Sequence, residues 1–269
     1  MNLEKATRWR VAQKHEKEFW SRFWREKLQK NEVIIKGYYR LHYEIIRRFY
    51  LVKNGDVLEI GGGALPFIKY CFDGKAILLD PLMDYYKSNF CIPNVQTIKA
   101  IGEDMPFPIN SFDLVICMNT LDHVRDPHNF LLEVNNVLKE GGILYLTVNC
   151  YDPPSKYYRL FKEFLRFFED KQHPYVFTLK EVGELLEGAR FNVLTIHRSV
   201  GDLYRFIRHR TLTRDGIKSG QINSALDYLR KWKILNIIDA IIAIALSFRG
   251  EIIFEEDIQD FIFMAKRNM

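Results

Sequence analysis

The chain has 269 residues, of which 48% are hydrophobic, 14% aromatic and 27% charged. This composition is typical of a folded protein with a large core and excludes a mainly disordered chain. Lys and Arg exceed Asp and Glu by only five, which by itself is too few to indicate nucleic-acid binding. The four cysteines show no CxxC and no Cys/His spacing, so we expect no metal site, no disulfide framework and a cytoplasmic location. The charged N-terminus has no apolar stretch, so we expect no signal peptide.

Two helices are predicted at the start of the chain. Residues 4–30 place Trp20, Trp24 and Leu28 at i, i+4 and i+8, which is the spacing of one helix face. A second helix is predicted over 37–52, before a turn at Asn54-Gly55. Residues 1–50 hold thirteen Lys and Arg against six Glu. We therefore assign residues 1–53 to a basic, helical N-terminal extension.

Short apolar strands alternate with helices from residue 56 onward. Helices are predicted over 127–139, after the N-cap Asp126, and over 178–188, opened by a capping box at Thr178. This alternation predicts an α/β fold in which helices cover both faces of a parallel sheet. Ligands of such sheets bind beyond the carboxyl ends of the strands. The strands are predicted at 56–60, 76–80, 95–99, 114–118, 143–148, 191–197 and 261–265.

Glycines and acidic residues follow the first two predicted strands. Gly61-Gly62-Gly63 come directly after strand one, and glycines let a ligand lie close to the backbone. Asp80 follows strand two, where a carboxylate can accept hydrogen bonds from ribose hydroxyls. An ordinary glycine turn and a helix N-cap are the alternatives for these two features. A dinucleotide-binding GxGxxG turn is disfavoured, because Pro66 stands where its third glycine would be.

The segments VLEIGGG, LLDP, GEDMPFPINSFDLVICMNTLDHVRDP and VLKEGGILYLTV together resemble the class I S-adenosylmethionine-dependent methyltransferases. The resemblance is to the family that includes ubiquinone/menaquinone-biosynthesis and sugar methyltransferases. It covers residues 54–150 and, more loosely, 174–197 and 260–267. It implies a Rossmann-like sheet that is mostly parallel with an antiparallel last strand. It also implies S-adenosyl-L-methionine as the cofactor and S-adenosyl-L-homocysteine as the product.

The resemblance also implies which residues hold this cofactor. Glu59 and the three glycines match the turn that lies against the methionine part, and Asp80 matches the carboxylate that binds the ribose. Ile101 stands where the family often has an acid beside the adenine, so Glu103 or the backbone is expected to make that contact. The full predicted set is Glu59, Gly61, Gly62, Gly63, Asp80, Pro81, Ile101, Gly102, Glu103 and Asn119.

His123 matches the histidine of the LxHVxDP stretch of the family. The sulfonium is an activated methyl donor, so the protein must align the acceptor and exclude water. For a hydroxyl acceptor a general base helps, and histidine is the usual one near neutral pH. We predict that His123 is catalytic, with a structural role as the alternative. Asp122, Tyr151 and His173 are predicted to contact the substrate.

Two further segments are predicted to be helical. Residues 151–177 are expected to form a substrate lid on a core made of 54–199 and 259–269, and residues 200–258 to form an insertion before the last strand. Within the insertion, Ile234 to Phe248 is almost wholly apolar but too short to span a bilayer. It fits internal packing, a homodimer contact or a peripheral membrane contact flanked by basic residues.

These features predict an S-adenosylmethionine-dependent methyltransferase with a small-molecule, saccharide or lipid-linked acceptor. Oxygen is the favoured acceptor atom and nitrogen the alternative. A NAD-type oxidoreductase, an inactive cofactor-binding scaffold and a nucleic-acid methyltransferase are the competing hypotheses, and we do not expect a nucleic-acid partner. Membrane association is the alternative to a purely cytoplasmic location.

Overall fold

The computed structural model describes residues 3–23, 38–47, 50, 55–72, 76–90, 92, 95–151, 174–175, 177–197 and 258–268. The chain divides into two compact units, residues 1–204 with 259–269 and residues 205–258, and the first unit is the one described below. Most of the predicted lid, with His173, and the predicted insertion, with residues 234–248, lie outside the described residues.

Seven strands form one sheet in the order β3-β2-β1-β4-β5-β7-β6. The pairs β1–β2, β1–β4, β2–β3 and β4–β5 are parallel, and β6 pairs with β7 in the antiparallel sense. The predicted mostly parallel sheet with an antiparallel last strand is therefore confirmed. The strands are β1 Val57–Ile60, β2 Ala76–Leu79, β3 Gln96–Ile98, β4 Phe112–Met118, β5 Leu138–Tyr151, β6 Phe191–His197 and β7 Ile258–Arg267.

Six helices and one 3₁₀ turn are described around the sheet. The Asp126 carboxylate caps α5 by accepting from the N–H groups of His128 and Asn129, and Thr178 opens α6 in a capping box with Glu181. Both predicted caps are confirmed. No helix among the described residues combines the length and apolar character needed to cross a bilayer. The elements are α1 Leu3–Phe23, α2 over 38–47, α3 Ile68–Cys71, α4 Met83–Asn89, the turn Leu121–His123, α5 Pro127–Val137 and α6 Leu179–Gly188.

The boundary between α5 and β5 differs from the prediction. Helix α5 ends at Val137 and not at residue 139, because Leu138 is already extended (φ −70°, ψ 140°) and pairs with Phe112 of β4. Strand β5 therefore starts five residues before the predicted position and passes through Gly141 with φ +72°. Gly141 and Gly142 therefore lie inside a strand with a local irregularity and not in a loop after a helix.

The order of the strands fixes where a ligand can bind. Strand β1 lies between β2 and β4, so the connections leave β1 toward one edge of the sheet and later return to its other side. A crevice opens at the carboxyl ends of strands where the order reverses in this way. The inner strands are mainly apolar, and the buried side chains of Leu58, Leu79, Val115 and Leu144 belong to one core. The loops after β1, β2, β3 and β4 therefore begin at the ends of well-packed strands.

Candidate functional site

A cavity of about 550 Å³, including its open side, lies at the carboxyl ends of β1 to β4. It is bounded by the loops that follow these strands and by one face of α1. The sequence-predicted residues that line it are Gly61, Asp80, Pro81, Ile101, Gly102, Glu103, Asn119 and His123.

Gly61 gives the cavity its backbone floor. It adopts φ +74°, which a side chain disfavours, and a Cβ atom built there would lie 2.6 Å from the Thr120 side chain. Thr120 in turn donates its hydroxyl to the Ile60 carbonyl at 3.0 Å. The end of β1 therefore contacts the start of the loop that follows β4, and only glycine fits at this contact.

Asp80 joins the glycine turn to α4. Its carboxylate accepts hydrogen bonds from the N–H of Gly63 at 3.2 Å and from the N–H of Leu82 at 2.8 Å. The side chain is buried, and burial is the main cause that raises the pKa of Asp80 to about 7, with a smaller contribution from the charge of Glu16. The bond to Leu82 shapes the turn before α4, but Asp80 is not the helix N-cap of the alternative hypothesis, because Leu82 is the N-cap residue and no side chain caps α4. Because Asp80 also lines the cavity, it remains the candidate for the ribose hydroxyls.

Glu59 lies behind the glycine turn and not among the residues that line the cavity. It is 2% exposed, and its two oxygens accept from the N–H groups of Phe67 and Ile68, each at 2.9 Å. Burial raises the pKa of Glu59 to about 7 in spite of these two bonds, which lower it. In this position the carboxylate organises the segment after the turn.

An apolar wall lies on the side of the cavity next to β3. Ile101, Gly102 and Phe130 all line it, and a Cβ atom on Gly102 would lie 2.4 Å from the Phe130 ring. The Glu103 carboxylate accepts from the N–H groups of Arg125 and Asp126, at 2.5 and 3.1 Å. It therefore ties the loop after β4 to the loop after β3.

The other predicted residues lie away from the cavity lining or outside the described residues. Gly62, Gly63 and Asp122 are described but do not line the cavity. Tyr151 is the last residue of β5, and His173 lies outside the described residues. The end of the predicted lid does reach this edge of the sheet, because the Tyr175 hydroxyl donates to the Arg125 carbonyl at 2.5 Å.

Helix α1 supplies a wall that the sequence motifs did not indicate. Trp9, Gln13 and Glu16 line the cavity, and Trp20 lies on the same face against Gly63, with its ring 2.9 Å from a Cβ atom built there. These four residues are spaced i, i+4, i+7 and i+11, which is the signal of one helix face. That periodicity is the only feature in the sequence that could have identified them.

The two ends of α1 are fixed to different parts of the site. The Arg125 guanidinium lies 4.4 Å from the centre of the Trp9 ring, a cation–π contact, and Arg8 donates to the Pro174 carbonyl at 2.7 Å. At the other end the Trp20 ring meets Tyr86 edge to face, with 6.2 Å between the ring centres. Helix α1 thus crosses the cavity from the β4 loop to α4.

His123 lies in the cavity between two carboxylates. Its Nδ1 is 3.8 Å from Oε2 of Glu16, and its Nε2 is 3.9 Å from Oδ1 of Asp122. Its neighbour in the cavity, Asn119, adopts φ +49°, and the Asn119 side-chain oxygen accepts from the Thr147 hydroxyl at 3.3 Å. A histidine with carboxylates near both ring nitrogens can take up a proton and keep the resulting charge balanced.

The residues present fit a nucleoside with hydroxyl and N–H donors. The turn at Gly61 leaves room for close backbone contact, and Asp80 offers a buried carboxylate for hydroxyl donors. Oε1 of Gln13 is buried in the same wall and accepts no hydrogen bond from the described residues, so it is available to a ligand donor.

Comparison with known proteins identifies the class. Residues 33–196, more than half of the chain, match the family model described as a methyltransferase domain. The chain belongs to this family and is a class I S-adenosylmethionine-dependent methyltransferase. S-adenosyl-L-methionine is accordingly its cofactor, and the NAD-type oxidoreductase hypothesis is excluded.

Individual relatives are more distant. The chain is 28% identical over 126 residues to the methyltransferase YcgJ of Bacillus subtilis, covering 44% of this chain and 49% of the relative. It is 25% identical over 163 residues to 2-methyl-6-phytyl-1,4-hydroquinone methyltransferase 1 of Oryza sativa, covering 58% and 47%. The chain thus spans about half the length of these two relatives. A crystal structure assigned as a methyltransferase from Bacillus halodurans shares the fold, with a TM-score of 0.52, 18% identity, and coverage of 84% and 99%.

Proposed function

We propose that this methyltransferase moves the methyl group to an oxygen atom of a small molecule, a saccharide or a lipid-linked metabolite, with His123 as the general base. The observation that carries the proposal is the placement of His123 in the same cavity as Gly61 and Asp80, beside Asn119 at the end of β4. The base and the residues that match the cofactor motif therefore face one common space.

Each side of the cavity has a separate task in this proposal. Asp80 accepts hydrogen bonds from the ribose hydroxyls, and the wall of Ile101, Gly102 and Phe130 receives the adenine. Gly61, Asn119 and His123 would hold the methionine part. The bound cofactor supplies a methyl group that is already activated, so the chain contributes binding, alignment and exclusion of water.

His123 handles the proton of the acceptor hydroxyl. The hydroxyl proton would pass to a ring nitrogen of His123, and S-adenosylmethionine held by Gly61 and Asp80 would supply the activated methyl group. Glu16 and Asp122 lie within 4 Å of the two ring nitrogens. Their carboxylates stabilise the imidazolium that forms, which lowers the barrier for proton transfer.

The three acceptor classes are not equally supported. The relative in Oryza sativa is named for a hydroquinone that carries a phytyl chain, so a lipid-linked acceptor with a ring hydroxyl is the first class to test. A base that removes the proton of a ring hydroxyl serves methylation of the oxygen and also of the adjacent ring carbon. Methylation at carbon is therefore the second candidate for this site.

A labelled methyl-transfer assay tests the proposal. The chain is incubated with S-adenosylmethionine that carries a tritiated methyl group and with three acceptor pools: water-soluble metabolites, saccharides and an organic extract of lipids. We expect wild type to label one pool, and His123→Gln to label it at least about 100-fold more slowly. Equal labelling by both proteins contradicts the role of His123. Absence of label in all three pools, with a cofactor that binds, contradicts the acceptor classes.

A further inference from the structure

Glu16 of α1 holds the most prominent charge in the wall that α1 contributes. Oε1 of Glu16 accepts from the Trp20 indole N–H at 2.7 Å, and Oε2 faces Nδ1 of His123 at 3.8 Å. The side chain is 25% exposed, so it is only partly hydrated. Trp20 lies against Gly63 and thereby places Glu16 above the end of β1.

The described lining of the cavity is acidic. It contains the carboxylates of Glu16, Asp80 and Glu103 and neither Lys nor Arg. Glu103 and Asp80 each accept two backbone N–H donors, which stabilise their charge. Glu16 has one indole donor and the His123 ring in this position. Glu16 also contributes to raising the pKa of Asp80, so its charge acts across the cavity.

The two forms of the cofactor differ in charge at one atom. S-adenosylmethionine has a positively charged sulfonium, and S-adenosylhomocysteine has a neutral thioether at the same place. Both forms carry the same ammonium and carboxylate groups. A carboxylate near the sulfur therefore stabilises only the methylated form, whereas a carboxylate near the ammonium group stabilises both.

Glu16 lies on the side of the cavity where the sulfur is expected. It is next to His123, at the end of β4, and one turn of α1 away from the residue that covers the glycine turn. The apolar wall at Ile101 and Phe130, proposed for the adenine, lies next to β3. We propose that the Glu16 carboxylate is a cofactor-binding group that faces the sulfonium and makes the site prefer S-adenosylmethionine to S-adenosylhomocysteine.

This preference has a consequence for turnover. Once the methyl group has been transferred, the sulfur no longer carries a positive charge and the attraction between Glu16 and the bound nucleoside weakens. The helix that closes the cavity then holds the product less strongly than the substrate. The inference rests on the proposed function only in taking this cavity as the cofactor site, and it needs no knowledge of the acceptor.

Calorimetric titration of the full chain tests it with three probes: S-adenosylmethionine, S-adenosylhomocysteine and sinefungin, in which an amine-bearing carbon replaces the sulfonium. The variant is Glu16→Gln, because the amide oxygen can still accept from Trp20 while the charge is removed. The control is Glu18→Gln, which removes an exposed carboxylate of the same helix that pairs with Lys14. Thermal unfolding confirms that each variant is folded as wild type is.

We expect Glu16→Gln to weaken the binding of S-adenosylmethionine and sinefungin about tenfold and that of S-adenosylhomocysteine less than about threefold. Glu18→Gln should leave all three affinities unchanged. An equal loss for all three probes, or no loss, overturns the inference. If wild type binds none of the three probes, the cofactor site itself is misplaced, which is a failure of the proposed function and is distinguished in this way.

Discussion

The N–H of Gly63 donates to the Asp80 carboxylate at 3.2 Å. This bond links the turn after β1 to the residue after β2, so the two segments that match the cofactor motif form one unit. The second oxygen of Asp80 accepts from Leu82 and fixes the carboxylate from its other side. A ligand that engages Asp80 therefore meets an acceptor that is already oriented.

Replacing Asp80 by Asn should weaken the binding of S-adenosylhomocysteine by about 2–3 kcal/mol, because charge-assisted hydrogen bonds to the ribose are lost. Isothermal titration calorimetry measures the change. The matched control is Asp84→Asn, since Asp84 is exposed on α4 and pairs with Lys99. Equal affinity in wild type and Asp80→Asn would remove Asp80 from the cofactor site.

The binding of S-adenosylhomocysteine should depend on pH through Asp80. Burial raises the pKa of this carboxyl to about 7, and only the ionised form accepts from both ribose hydroxyls. Affinity should therefore rise from pH 5.5 to about pH 7.5 and then level off. Asp80→Asn should lose this dependence and His123→Gln should keep it. A slope that persists in Asp80→Asn would contradict this assignment.

The pH dependence of stability should report on Glu59. Burial raises the pKa of this carboxyl in the folded state to about 7 from 4.5, so protonation favours the folded chain. The resulting stabilisation is fully present below pH 4.5 and is lost as the pH rises through 7. Over this range the free energy of unfolding of wild type should fall by about 3 kcal/mol relative to that of Glu59→Gln. Urea unfolding at several pH values measures it, and a constant difference between the two proteins would contradict it.

Two Gly→Ala substitutions should change the free energy of unfolding in opposite directions. Gly61 has φ +74°, and a methyl group there would meet Thr120 at 2.6 Å, so Gly61→Ala should cost about 1–3 kcal/mol of stability. Gly183 lies inside α6 with nothing within 4 Å of a built Cβ atom. Gly183→Ala should raise the free energy of unfolding by up to about 1 kcal/mol. Urea unfolding compares the two, and a tolerated Gly61→Ala would show that the turn can relax.

His123→Ala should lower methyl transfer to the acceptor identified above by about 10²- to 10⁴-fold, because the hydroxyl then has no general base. Its affinity for S-adenosylhomocysteine should stay within about twofold of wild type. His128→Ala is the control, since His128 is exposed on α5. Turnover that is unchanged in His123→Ala would give this histidine a structural role.

Some of the fold and site follows from local sequence signals. The mainly apolar run 57–60 followed by three glycines predicts the end of a strand. Asp126 before Pro127 predicts a helix cap. The structure has both features. The direction of a single side chain at a strand end is less predictable. Glu59 was expected near the methionine part and instead lies inside the protein, where two backbone donors hold it.

The contribution of α1 could not be predicted from the cofactor motif. Glu16 is more than forty residues before the glycine turn, and its approach to His123 depends on how a whole helix packs across the sheet edge. The Glu103 carboxylate accepts hydrogen bonds from the backbone of the loop after β4. No rule based on sequence spacing predicts this contact between two loops. Tertiary packing, and not local sequence preference, determines where both side chains lie.

A crystal structure of the chain with bound S-adenosylhomocysteine tests the central claim most directly. We predict that both ribose hydroxyls lie within hydrogen-bond distance of the Asp80 carboxylate, that the adenine lies against the wall of Ile101 and Phe130, and that the sulfur faces Glu16 and His123. A nucleoside bound elsewhere, or one bound in this cavity with its sulfur directed away from His123, would contradict the account.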